Sequence, residues 1–138
     1  KGKTFTVGQF TYKVTTAGAE AELITSKSTA SKVTIQTVTG TDGVKYKVTS
    51  IGAKAMQNNR QLTSLTIGAD VKKIGKSAFN GCRKLGKVKI KSKKLSSVGK
   101  QAFKGTKSGM KVKVPSKQLK KYRKMLKKAG IKVKQVTK

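Results

Sequence analysis

The chain has 138 residues, which is the size of one domain with a hydrophobic core. Its 34 Lys and Arg residues against four Asp and Glu residues give a formal net charge of +30, and the sequence contains no histidine. The charge favours polyanionic partners, whereas the lack of histidine and the few carboxylates argue against an acid/base or metal-dependent enzyme. No apolar run approaches the ~20 residues that cross a bilayer, and the start at Lys1 rather than Met is read as that of a mature or trimmed fragment.

Residues 4–46 show the alternation of apolar and polar residues that is typical of strands. The alternating segments are FTYKV (10–14), ELI (22–24), VTI (33–35) and VKYKV (44–48). They are separated by AGA, SKSTAS and GTDG, whose residue types favour turns. We therefore expect an antiparallel, β-rich N-terminal cap over residues 1–47.

A repeat organises the middle of the chain. VTSIGAKAMQNNRQLTSLTI (48–67) aligns with VKKIGKSAFNGCRKLGKVKI (71–90) at an offset of 23 residues, and the series continues at an offset of 24 as far as Val114. LTSLTI, LGKVKI and MKVKV alternate as strands do, whereas IGAKAM, IGKSAF and VGKQAF have the spacing of a short helical turn. About three such units, over 48–114, would stack into a solenoid with a parallel sheet.

The C-terminal residues 115–138 indicate a second cap. Pro115 would stop the last strand, Ser116 would be the N-cap of a helix over QLKKYRKMLKKA, and Gly130 would end it. IKVKQV would then add a closing strand. The apolar face of the helix would consist of Leu119, Tyr122, Leu126 and Ala129, with Met125 at its margin.

The segment IGKSAFNGCRKL and the VKI strand after it resemble the BspA-like leucine-rich repeats of secreted and surface proteins from Gram-positive and from oral or gut anaerobic bacteria. The resemblance covers about 48–114; Met56 and Asn59 depart from it in the first unit, and Thr106 and Gly109 in the third. It implies a single α/β domain: a short right-handed leucine-rich-repeat solenoid with a parallel sheet, an antiparallel β-rich N-terminal cap and a helix-strand C-terminal cap. It also implies an extracellular or cell-wall location and a role in adhesion.

The repeat predicts a basic surface. If Leu65 and Ile67 point into the core, the residues between them and at the equivalent positions of later units point outward. These outward residues are Ser64, Thr66, Lys87, Lys89, Lys111 and Lys113. Lysines on neighbouring strands repel each other by up to about 0.9 kcal/mol per pair in bulk-water dielectric, so the face is a candidate site for an acidic polysaccharide, a wall polymer or an extracellular protein. The alternative is that these lysines serve solubility in a spacer or cap of a larger surface protein.

A second basic surface belongs to the predicted C-terminal helix, and we interpret it as the solvated side of a capping helix. Its residues are Lys117, Lys120, Lys121, Lys124, Lys127 and Lys128. The charge also predicts non-specific nucleic-acid binding in vitro, although a nucleic-acid-binding protein is a distant alternative because only 5% of the residues are aromatic.

Catalysis is not expected. Cys82 is the one cysteine and, with no histidine as a base, is interpreted as a small buried hydrophobe rather than a nucleophile. We predict no enzyme activity, no catalytic or metal-binding residues and no cofactor, and we favour a monomer.

Overall fold

Strands make up most of the regular structure in this computed structural model, which describes residues 2–16 and 19–138. The predicted AGA turn lies largely outside the described residues, at Ala17 and Gly18. The strands are β1 (Thr4–Val7), β2 (Phe10–Thr16), β3 (Glu20–Ser26), β4 (Lys32–Ile35), β5 (Val38–Thr39), β6 (Lys45–Ile51), β7 (Ser64–Ile67), β8 (Lys73–Ile74), β9 (Lys87–Ile90), β10 (Ser97–Val98), β11 (Lys111–Lys113) and β12 (Val136–Thr137). The helix α1 covers Leu119–Lys128, between short 3-10 helices at Ser116–Gln118 and Val133–Gln135.

The first three strands form the antiparallel sheet predicted for the cap, whereas most of VKYKV lies in β6, which is antiparallel only to the two-residue β5. β1 and β2 pair through a two-residue turn that begins at Gly8, whose φ of +61° favours glycine. β2 pairs antiparallel with β3, and β3 then pairs in parallel with β6. The first sheet therefore runs β1-β2-β3-β6-β8-β10, with β5 on β6, so the cap continues directly into the strands of the repeats.

The second sheet runs β4-β7-β9-β11-β12, and all of its strands are parallel. Its first strand, β4, contains the VTI segment that was expected to belong to the antiparallel cap, so that placement is wrong. The alternation in β4 sets Val33 beside Leu65 and Ile35 beside Ile67, and all four side chains are buried. Parallel pairing thus extends the buried face by one strand, whereas the limits of the cap at residue 47 and of the repeats at 114 stay predictions.

The short helices predicted in each unit are wrong, because these segments are stacked turns. Equivalent residues Lys54, Ser77 and Gln101 have φ of 59°, 58° and 62°, which no α-helix accommodates. Along each turn, the backbone N–H groups bond alternately within the turn and to the next turn. Ala78 N donates to the Gly75 oxygen of its own turn at 3.2 Å, whereas Phe79 N donates to the Ala102 oxygen of the next turn at 2.7 Å. Bonding between turns replaces the bonds of a helix.

The core lies between the two sheets and the stacked turns, as columns of equivalent residues. One column follows the register of the second sheet through Val33, Leu65, Val88, Val112 and Val136, all buried. Another stacks the rings of Phe79 and Phe103 with centroids 5.2 Å apart. Each such side chain contributes about 1.5–3 kcal/mol on burial, so the columns hold the units together.

The C-terminal cap is a helix and a short strand, as predicted, but the strand is misplaced: IKVKQV contains the 3-10 helix Val133–Gln135, and β12 begins only at its last residue, Val136. The predicted N-cap at Ser116 is wrong: Pro115 precedes a 3-10 turn there, and no side chain caps it. Tyr122, Leu126 and Ala129 are fully buried under α1. Gly130, with φ of +102°, ends the helix in a Schellman arrangement, in which Ile131 N donates to the Leu126 oxygen at 3.0 Å. Within the described residues, no helix has the length and apolarity to cross a membrane.

Candidate binding surface

The residues predicted to point outward share one side of the second sheet, which we call the lysine face. It consists of Ser64, Thr66, Lys87, Lys89, Lys111 and Lys113. Its four lysines are exposed and its Ser and Thr are half-buried, whereas the intervening Leu65, Val88 and Val112 are buried. The alternation of the strands therefore separates the basic side from the core side.

Strand register aligns the lysines in two rows. Lys87 lies opposite Ser64 on one side and Lys111 on the other, and Lys89 lies between Thr66 and Lys113 in the same way. Neighbouring parallel strands are about 4.8 Å apart, so four positive charges occupy a small area. Ammonium groups on flexible stems bind anions as point charges without strict geometry.

A shallow groove of about 630 Å³ adjoins the lysine face where its strands begin, and we call it the basic groove. Its lining residues are Lys32, Thr63, Ser64, Arg83, Lys84, Gly86, Lys87 and Lys107. Lys32, Ser64 and Lys87 are the first residues of β4, β7 and β9, and the others come from the loops before β7, β9 and β11. The units of β4, β9 and β11 therefore contribute cations to one groove, and the unit of β7 contributes Thr63 and Ser64.

Backbone bonds between units fix the walls of the basic groove. Gly86 N donates to the Thr63 oxygen at 3.0 Å, and Lys111 N donates to the Gly86 oxygen at 3.0 Å. The Thr63 hydroxyl donates to the Ser31 oxygen, also at 3.0 Å. A Cβ atom on Gly86 would lie 3.2 Å from Cδ of Lys107, so the glycine leaves room for the stem of that lysine.

A sequence profile described as the BspA type Leucine rich repeat region matches residues 24–132 in six copies. The chain belongs to the BspA-type leucine-rich repeat family. The resemblance drawn from IGKSAFNGCRKL is thereby confirmed, and the profile extends it beyond the three units recognised over 48–114. The chain is a repeat module of the bacterial cell-surface type. A comparison of the sequence with curated proteins found no match.

Solved structures with the same fold are bacterial leucine-rich repeat proteins. One from Bacteroides capillosus is 32% identical with a TM-score of 0.61, over 72% of this chain and 73% of that one. A leucine rich cell surface protein of Faecalibacterium prausnitzii is 26% identical with a TM-score of 0.66, over 83% of this chain and 30% of that one. One from Bacteroides ovatus is 26% identical with a TM-score of 0.58, over 82% and 38%. This BspA-type chain thus spans well under half the length of the last two.

Sequence reasoning missed four cations of the basic groove: Lys32, Arg83, Lys84 and Lys107. Lys32 lay in the segment assigned to the cap, and the others lie in loops without a strand pattern. A signal was present nevertheless, since Arg60, Arg83 and Lys107 occupy equivalent positions at the offsets of 23 and 24 residues. A basic residue that recurs at one position of a solenoid must form a column along it.

The basic side of α1 is separate from the lysine face. The residues of this second surface are Lys117, Lys120, Lys121, Lys124, Lys127 and Lys128, all of them exposed, while Tyr122 and Leu126 on the opposite side are buried. Lys127 and Lys128 lie in the last turn of α1, where cations interact favourably with the helix dipole. This distribution is that of a capping helix with a solvated side.

Cys82 is fully buried in the turn stack, and its thiol donates to the Met56 oxygen at 3.1 Å. Burial raises the pKa of the Cys82 thiol to about 11. The thiol therefore stays protonated at neutral pH, and a protonated thiol is a poor nucleophile. Among the described residues, no group of three or more His, Cys, Asp or Glu is placed to hold a metal ion.

Proposed function

We propose that this BspA-type chain is a non-catalytic binding module of a bacterial surface or secreted protein, with an extracellular or cell-wall location. Its lysine face binds an acidic glycan, an acidic wall polymer or an acidic protein partner. The observation that carries the proposal is the in-register alignment of Lys87 with Lys111 and of Lys89 with Lys113 on adjacent strands. A bound polyanion relieves the repulsion between like charges that are held this close together.

Replacement of Lys87, Lys89, Lys111 and Lys113 by Glu tests this proposal. We expect binding of an acidic polymer to fall by at least about tenfold, since contacts to charged groups are each of that order. The fold should persist because all four side chains are exposed. The matched control replaces Lys117 in the preceding 3-10 helix and Lys120, Lys121 and Lys124 on α1 by Glu, with the same change in net charge. Equal binding by both variants would refute the assignment of the site.

The choice of polymer is tested by a salt titration with a sulfated glycan, a teichoic-type polymer and duplex DNA. We expect one of the first two to remain bound at physiological salt, whereas diffuse attraction to DNA should be lost as salt rises. Equal, salt-erased binding to all three would instead favour a role of the charge in solubility.

A structural role is the second candidate. Exposed lysines also cover the outer side of α1, away from the lysine face, as a purely solubilising charge would. The chain also spans 30% of the similar Faecalibacterium prausnitzii protein and 38% of the Bacteroides ovatus protein, so a spacer or cap within a larger chain fits these lengths. A module with this role would keep its solubility but bind none of the three polymers at physiological salt.

A further inference from the structure

We propose that the basic groove is a discrete subsite for a sulfate or phosphate monoester carried by an acidic polysaccharide. This inference rests on the proposed function, because Ser64 and Lys87 belong to both the groove and the lysine face. It adds that recognition is concentrated at one end of the strands rather than spread evenly along the rows.

The charge in the groove is not compensated. Its lining, as far as the structure describes it, contains five cations and no carboxylate. The acids are engaged elsewhere: Asp42 accepts from the Tyr46 hydroxyl at 2.7 Å, and Asp70 lies 3.7 Å from Nζ of Lys94. An anion entering the groove would therefore relieve repulsion among cations from three units.

The donors favour a tetrahedral oxyanion. A monoester presents three terminal acceptor oxygens that point in different directions, whereas a carboxylate presents two in one plane. The groove is lined by lysines from β4, β9 and two loops, and by the planar guanidinium of Arg83, which can donate two parallel hydrogen bonds. Several donors at separate positions match the three oxygens of a monoester better than the two oxygens of a carboxylate.

The rest of the lining favours a polysaccharide over other polyanions. Besides the cations, it consists of Thr63, Ser64 and Gly86. Nucleic-acid sites that bind single strands use aromatic side chains as stacking platforms, and protein interfaces use buried aromatic or Arg anchors in pockets. A groove of cations and hydroxyls suits a hydroxylated chain that carries its charge on side groups.

The test compares three variants that each lose two positive charges. The groove variant is Lys84→Gln with Lys107→Gln, the face variant is Lys89→Gln with Lys113→Gln, and the helix control is Lys120→Gln with Lys128→Gln. All six side chains are exposed, so each variant should melt like the parent protein. The probes are dextran sulfate, dextran phosphate and carboxymethyl dextran of equal length and charge density, titrated by calorimetry at about 150 mM NaCl.

We expect the parent protein to bind the sulfate and phosphate polymers more tightly than the carboxymethyl polymer. The groove variant should lose about tenfold in affinity for the first two and most of this preference. The slope of log K against log salt concentration should also be shallower by about 1.4 in this variant, because it loses two contacts that contribute about 0.7 each. The face variant should keep the preference while its affinity for all three polymers falls.

Gly86→Ala provides a variant without a change of charge. The added Cβ would lie 3.2 Å from Cδ of Lys107 and would shift the stem of that lysine by a few tenths of an ångström, so the preference for the monoesters should fall. If the groove and face variants lose affinity equally and both keep the preference, the subsite is refuted while the proposed function stands. If neither variant differs from the helix control, both proposals fail.

Discussion

Glycines set how closely successive units approach. Gly52, Gly75 and Gly99 occupy equivalent positions where a strand of the first sheet turns into the stack. A Cβ on Gly75 would lie 2.5 Å from the backbone nitrogen of Ala53, and one on Gly99 would collide with the backbone nitrogen of Lys76. Here backbone packs on backbone, so no side chain can give way.

Gly75→Ala should therefore destabilise the protein by roughly 3–5 kcal/mol, in the range of severe core mutations. Chemical denaturation followed by circular dichroism measures this change. Gly86→Ala is the matched control, because its Cβ meets the flexible Lys107 side chain rather than backbone. A similar small loss in both variants would contradict the close backbone packing.

The thiol of Cys82 should resist modification in the native protein. At pH 8, reaction with a disulfide reagent should occur only as fast as the protein opens, because the sulfur is buried and protonated. The folded pKa of about 11 exceeds the ordinary 9.0, so the stability contributed by the neutral thiol is complete below about pH 9 and is lost as the pH rises towards 11. Rapid labelling that is independent of denaturant would contradict this placement.

At the scale of the residue, alternation sufficed to predict which way the strand residues face. Leu65, Val88 and Val112 are buried, as the pattern of period two requires. Gly86 and Lys107 could not be placed in the same way, because they lie in loops whose course is decided by contacts between units. The recurrence of a basic residue at Arg83 and Lys107 indicates a column, but the groove that these residues line is defined only by the structure.

Among the elements, the C-terminal cap depends on a buried hydroxyl. The Tyr122 hydroxyl donates to the Ser92 oxygen at 2.7 Å and accepts from Leu95 N at 3.1 Å, within the fully buried interface of α1. Burial raises the pKa of this hydroxyl. The side chain thus joins the helix to the loop that begins the third unit.

Tyr122→Phe should cost about 1–3 kcal/mol, because it leaves the Ser92 oxygen and the Leu95 N–H buried without a partner. Thermal melting gives the loss of stability, and hydrogen exchange should show α1 opening before the sheets. An unchanged melting temperature would mean that water or another group replaces the hydroxyl. Arg123→Lys is a useful comparison, since it removes the contact from Nε to the Val136 oxygen at the half-buried side of α1.

The strands β7, β9 and β11 of the repeats and the helix of the C-terminal cap were predictable, whereas the stacked turns were not. Spacing of apolar residues in IGKSAF suits a helical turn equally well, since both conformations bury Ala78 and Phe79 on one side. Backbone hydrogen bonds decide between the helix and the stacked turn. N–H groups of one turn donate to oxygens of the next, as Gly81 N donates to the Lys104 oxygen at 2.8 Å. β4 was misplaced for a similar reason, since its partner β7 is 32 residues away in the register that pairs Lys32 with Ser64.

At the scale of the whole molecule, the net charge of +30 opposes folding through self-repulsion. We expect the melting temperature to rise by several degrees as NaCl increases from low to physiological concentration, and by more in sodium sulfate of equal ionic strength, because a bound anion adds to screening. Differential scanning calorimetry measures both effects. A melting temperature that is insensitive to salt would show that the repulsion is already relieved within the folded chain.

The backbone hydrogen bonds between turns join each unit to its neighbours and do not depend on the identity of the side chains. A whole unit, such as 71–94, is therefore an exchangeable cassette: duplicating it in frame should leave every strand register and turn contact intact. Each added copy would lengthen both lysine rows by one residue. If the lysine rows bind a polymer as proposed, binding along them is multivalent and affinity for a long polymer should grow with the number of copies. The gain or loss of one unit would then change how strongly the module binds its partner without altering which partner it binds.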